Sequence, residues 1–325
     1  MAELDTSDVQ IPSVSLKRVP ELWFDDGNLV LQAGSSLFRV YGRFLAQHSP
    51  IFNDMLKIPQ PQGEQLVEGC PVVQLADNEG DLECFLRSLF DYRFFPPFPS
   101  RTTFDNLSGI LRLATKYMVD PLRQRALVHL SSAFPLVLSE YPGWAAKASW
   151  SIDDAQYIRL ILLAREMSVD WILPLVLYRA CNTLTPVQFL HGIYHGDTYL
   201  ELSSADKLAY LQQFPLIREN GCAEVLDFLW NPAQILGCVN GRNGYCNRSR
   251  TDLRMSAEAW REENPLPLLL WNQGDWKSLT VCESCLAAMK EAHATALQKF
   301  WDGLPGRFGF PGWPELQKMK EDALV

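Results

Sequence analysis

No run of about 18 or more apolar residues occurs in the chain, the length a helix needs to cross a bilayer. Even Ile158 to Ala164 is interrupted by Arg159 and followed by Arg165 and Glu166. The start, MAELDTSDVQIP, is acidic and polar and lacks the basic-then-apolar pattern of a secretory leader, so an intracellular protein, cytoplasmic or nuclear, is expected. Positive charge is also short: 29 Lys and Arg face 38 Asp and Glu, a net charge of −9, which argues against binding nucleic acid or a membrane surface by charge alone. Catalytic motifs are missing as well. There is no Gly-x-Ser-x-Gly, no glycine-rich phosphate loop before a Lys and no His-Glu-x-x-His, so no enzyme is expected. His48-Ser49 reads as a helix boundary, with Ser49 capping before Pro50. His191 and His195 are one helical turn apart but have no carboxylate at helical spacing to complete a metal site.

What is present describes a folded protein. Apolar residues make up 47% and charged residues 21%, enough for a sizeable core and too apolar for disorder, and 325 residues suit two or three domains. The eight cysteines are expected as thiols or metal ligands in a reducing compartment. Asn106 and Asn247 fit the glycosylation pattern but carry no weight without a secretory route.

From Glu21 to Leu130 the apolar pattern changes period several times. Leu29, Leu31 and Ala33 alternate with Asn28, Val30 and Gln32; Gly34-Ser35-Ser36 turns the chain, and Leu37 to Tyr41 returns, a hairpin. Phe44, Leu45, Ile51, Phe52, Met55 and Leu56 then share a helical face, restarted at Ser49-Pro50. Pro71 to Leu75 is a further strand. Leu82, Phe85, Leu86, Leu89 and Phe90 stripe one helix; Phe104, Leu107, Ile110, Leu111 and Ala114 stripe a second; Leu122, Ala126, Leu127 and Leu130 a third. The expected fold class is α+β, a small sheet buried by helices.

This stretch resembles the BTB (POZ) domain. The family pattern is matched by Phe38, Val40, Tyr41 (usually His), Leu45, Ala46, Ser49, Phe52 and Met55, and later by Leu113, Ala114, Lys116-Tyr117 and Leu122. The likeness covers about a third of the chain, and the whole layout is similar to the BTB proteins numerous in mushroom-type fungi. It implies a non-enzymatic scaffold or adaptor that pairs with itself or recruits other proteins, with Leu45, Ile51, Phe52 and Met55 at the docking face. A cullin-type ligase scaffold is a partner of some members, but its apolar-x-Glu contact motif is missing from Arg93 to Ser100.

The expected boundaries are an arm over 1–19, the BTB-like domain over 20–138, helical hairpins over 139–232 and a cysteine-containing module with a long helix over 233–325. Leu113-Ala114 with Val119-Asp120 recurs as Leu163-Ala164 with Val169-Asp170, predicting one repeated helix–turn–helix in which Val seals the turn and Asp caps the next helix. Placement makes the second region similar to the helical BACK extension. Thr185-Pro186, Ser203 and Ala223 open further helices, and residues 256–263 a short one. The tail's aromatics, Phe308, Phe310 and Trp313, either dock on the core or serve as a free recruiting peptide.

The strongest chemical constellation is Cys238, Cys246, Cys282 and Cys285. Cys282-x-x-Cys285 opens a helix, where free N–H groups favour thiolate, and two Asn-Gly turns bend the loop between Cys238 and Cys246. A structural zinc needs four such ligands. Four buried thiols and a redox pair at Cys282/Cys285 are the other readings. His293 lies about 12 Å along the helix from Cys285, too far to share one ion, and is expected to be solvated or partner-bonded. Arg242, Arg248, Arg250 and Arg254 gather near this loop. They read as a solvated face, or, as the alternative function, as the DNA contact of a zinc-containing nuclear transcription regulator acting through 233–325.

Overall fold

The computed structural model describes residues 15–325 apart from 59–65, 154–155, 197, 231–234, 236, 240–243 and 264–265. The chain is α+β, with a small sheet first and helices after it. It divides into two compact units, one ending at Leu127 and the other running from Val128 to Val325.

In the first unit β1 (Lys17–Trp23), β2 (Leu29–Ala33), β3 (Ser36–Val40), β4 (Leu66–Val67) and β5 (Cys70–Leu75) form one sheet in the order β1-β3-β2-β5-β4. The β2–β3 hairpin is antiparallel, with Leu31 opposite Phe38 and Ala33 opposite Ser36. Glu79 braces its turn. The carboxylate accepts the Ser35 N–H at 3.1 Å and the hydroxyls of Ser35 and Ser36 at 3.0 and 3.1 Å, and those bonds lower its pKa. β1 and β5 flank the hairpin in parallel, so β2 is central. Val30, which the alternation sets opposite Leu29 and Leu31, is therefore buried too, with Leu37 and Cys70 against Trp23, Val67 and Val72. Part of the expected arm already belongs to β1; residues 1–14, including Val14, lie outside the described residues.

The helical run breaks where Ser49-Pro50 demands it, giving α1 (Gly42–His48) and α2 (Pro50–Met55). Ser49 Oγ accepts the Phe52 N–H at 3.1 Å and donates to the Tyr117 carbonyl at 2.6 Å. The expected docking face is corrected here. Leu45 and Phe52 have no exposed surface, Phe52 stacking on Tyr117 at 4.3 Å, whereas Ile51 is exposed and Met55 half-buried. Apolar residues at helical spacing seek their own core before they can serve a partner.

Three longer helices complete the unit. α3 (Glu79–Phe90) is capped by Asn78 and α4 (Phe104–Lys116) by Thr103. Gly109 lets them approach, since a Cβ there would lie 3.0 Å from the Asp81 Cα. α5 (Asp120–Ser131) runs on past the division between the units.

The second unit holds α6 (Trp144–Lys147), α7 (Gln156–Glu166), α8 (Leu173–Thr183), α9 (Pro186–His191), β6 (Ile193–His195), β7 (Thr198–Leu200), α10 (Ser204–Pro215), α11 (Cys222–Val225), α12 (Asp227–Trp230), α13 (Tyr245–Glu263), α14 (Gln273–Ser278), α15 (Glu283–Arg307) and α16 (Trp313–Leu324). The sequence echo is one turn used twice. Val119 donates to Ala114 and Val169 to Ala164, both at 2.8 Å, while Met118 and Ser168 each sit at φ +54 and donate to Thr115 and Arg165. Both are Schellman closures. Asp170 does not cap, however: it binds the Arg165 guanidinium at 3.2 Å, and its helical turn has no side-chain cap.

Other expectations change. The β6–β7 hairpin interrupts the region read as all-helical. The single helix expected from Ala223 to Trp230 is broken into α11 and α12, after a π turn over Leu216–Gly221. The short helix expected at 256–263 is the end of α13, which begins at Tyr245. The two stretches expected as separate domains share a core, because α15 places Trp301 5.7 Å from Tyr141 and Phe300 5.9 Å from Tyr178. The tail docks within this unit: Trp313 stacks on Trp301 at 4.6 Å and donates to its carbonyl at 2.7 Å, and Arg165 lies over Phe310. Among the described residues no helix is long and apolar enough to cross a membrane.

Candidate metal centre

The four cysteines singled out in the sequence come together, with all their sulfurs within 4.8 Å of one another. Tetrahedral zinc with bonds near 2.3 Å would set its sulfurs about 3.8 Å apart, so a small contraction suffices. Among the described residues no other group of three or more His, Cys, Asp and Glu side chains gathers in this way.

Each ligand is delivered differently. Cys238 follows Gly237, whose φ of +87 favours glycine, and its N–H closes a turn onto the Ile235 carbonyl at 3.3 Å. Cys246 is the second residue of α13. Cys282 is the N-cap of α15 and Cys285 lies in that helix's first turn. The seven residues between Cys238 and Cys246, too many for a metal knuckle, follow from Cys246 belonging to a helix start. The expected Asn-Gly turns at Asn240-Gly241 and Asn243-Gly244, and Arg242 with them, fall largely outside the described residues. Two bonds tie the halves together: Cys282 N–H to the Cys246 sulfur at 3.3 Å, and Thr280 N–H to Ser249 Oγ at 3.0 Å. Ile235, Val281 and Leu286, each near a ligand, pack against the cluster that holds Phe228, Trp271 and Met289, so the sulfurs are anchored to a core.

Two helix N-termini, those of α13 and α15, point positive ends at the thiols. The Cys282 thiol is lowered to about 6, chiefly by the backbone N–H groups of Cys285 and Val239. Cys285 is raised, first by burial and then by hydrogen bonding with the thiols of Cys238 and Cys282. The centre therefore yields its first proton readily and holds its last, as four crowded sulfurs without a cation must.

Sequence reasoning missed two neighbours. Arg250 was read as part of a solvated face, yet it is 7% exposed, and its Nη2 donates to the Phe228 carbonyl at 2.8 Å while its Nε has no partner. Of its companions Arg248 is exposed and Arg254 half-buried. The signal was its place four residues after Cys246, on the same face of the helix. His293 was expected to be solvated or partner-bonded. It is instead buried, its Nε2 unpartnered, edge-on to Phe228 and Trp276 at 5.4 and 5.5 Å. Its signal was the spacing Cys285, Met289, His293, one stripe on α15. His191 and His195 do not share a helix, since α9 ends at His191 and His195 lies on β6.

Comparison with protein-family models, curated proteins and solved structures finds no match to this chain.

Proposed function

We propose that the protein is a non-enzymatic interaction scaffold of the BTB type, whose second unit is pinned by a structural zinc on Cys238, Cys246, Cys282 and Cys285. The zinc assignment rests on four thiols gathered by one turn, which carries Cys238, and two helix starts, which carry the other three. A soft, all-sulfur set of four suits Zn²⁺ and fills a tetrahedral shell, leaving no open position for substrate.

The scaffold reading is supported by the meeting of the two halves of the BTB-like pattern. Ser49 and Phe52 from the first half both touch Tyr117 from the second, and Leu45, Leu113, Ala114 and Leu122 are buried around them. Docking then falls to apolar side chains the unit leaves outside, with Ile51, Ile58, Tyr92 and Phe98 all exposed, rather than to Leu45 and Phe52. Analytical ultracentrifugation of the full chain tests self-pairing. A dimer or larger species is expected at micromolar concentration, weakened by Ile51→Glu; a monomer throughout that range would remove it.

A further inference from the structure

We infer that Arg250 is the counter-charge of the cysteine centre and governs how tightly it keeps its metal. This rests on the zinc reading above and goes beyond it by naming a residue outside the ligand set. Arg250 is one helical turn beyond Cys246, 7% exposed, and bonded through Nη2 to a main-chain carbonyl, while its Nε meets no acceptor. Among the described residues no carboxylate pairs with it. A guanidinium buried this way is destabilising unless an opposite charge lies close.

The groups that act on its charge are sulfurs: Cys285, Cys238 and Cys246 oppose the effect of burial on it, whereas Glu224 and Asp227, which line the neighbouring cavity, form no ion pair with it. Four neutral thiols would leave the arginine uncompensated. Four thiolates around a divalent cation carry a net charge of −2, which one guanidinium halves and the two helix ends reduce further. Arg250 also lines a cavity of about 1000 Å³ beside Phe228, Ile235 and Met289.

The test uses the full chain, zinc and a colorimetric zinc chelator. Arg250→Gln keeps a polar side chain but carries no charge; Arg250→Lys keeps the charge. Wild-type protein is expected to hold one zinc per chain. The Gln variant should release it about 10- to 100-fold faster, the usual range for a lost outer partner, and the Lys variant within about threefold of wild type. Wild-type protein that binds no zinc would sink the metal reading itself. One zinc in all three proteins with equal release would overturn the role of Arg250 and leave the zinc standing. Equal loss in both variants would also overturn it, assigning Arg250 to packing. If the Gln variant does not fold, the Lys variant decides: wild-type release supports the counter-charge and fast release rejects it.

Discussion

At the scale of single residues the second unit carries a buried histidine that ought to make it sensitive to acid. Burial among aromatic rings lowers His293 from 6.5 to about 4. The folded state therefore keeps it neutral while the unfolded chain binds a proton below pH 6.5, so stability is fully present above 6.5 and drains away as pH falls toward 4. The difference across that window is about 3 kcal/mol. Urea unfolding of wild type and His293→Phe at pH 7 and pH 4.5 measures it. The variant should lose less stability than wild type on acidification; equal losses would mean the ring is hydrated in solution. Thiolate protonation contributes to both proteins, so the difference between them isolates the histidine.

At the scale of elements the repeated turn makes its own prediction. Met118 and Ser168 hold a left-handed conformation that disfavours residues with a Cβ, and both are exposed. Replacing either by Gly removes that cost but gives the unfolded chain more freedom, for a net gain of about 0.5 kcal/mol. Ser168→Val, branched at Cβ, should cost at least about 1 kcal/mol. Denaturant midpoints check both, and a Gly variant less stable than wild type would contradict the Schellman assignment. The same turn explains why helix pairs were readable from the sequence: a helix end, a sealing valine and a new start are local events. The β6–β7 hairpin and the break between α11 and α12 were not readable, because Tyr194, Tyr199 and Leu226 show no periodicity that separates them from helix.

At the scale of the whole molecule, a metal held by the four cysteines would be coupled to the folding of one unit. The four ligands all lie within Val128–Val325, and Ile235, Val281 and Leu286 carry their positions into that unit's core. If zinc fills the site as proposed, removing it with a chelator, or weakening the site with Cys282→Ser, should lower the thermal midpoint of that unit by about 10 °C, from about 4 kcal/mol of binding spread over a unit of its size. Limited proteolysis should then cut there first and spare the chain before Leu127. A midpoint unmoved by the chelator would leave four free thiols, two buried and two half-buried, as the better description.

The sequence by itself determined the hairpin at Leu29–Val40, the helix stripes, the caps at Ser49, Thr185 and Ser203, and the four cysteines as a set. Periodicity, turn chemistry and ligand type act between residues close in the chain, so a reader of the string can follow them. Tertiary structure alone decided that Cys238 and Cys246 meet Cys282 and Cys285, that Leu45 and Phe52 turn inward while Ile51 does not, and that Arg250 and His293 are buried. Those outcomes depend on which surfaces pack together across dozens of residues: an apolar stripe marks the face a helix buries, but the partner that covers it, and the polar side chains such as Arg250 and His293 that are covered with it, belong to the assembled core.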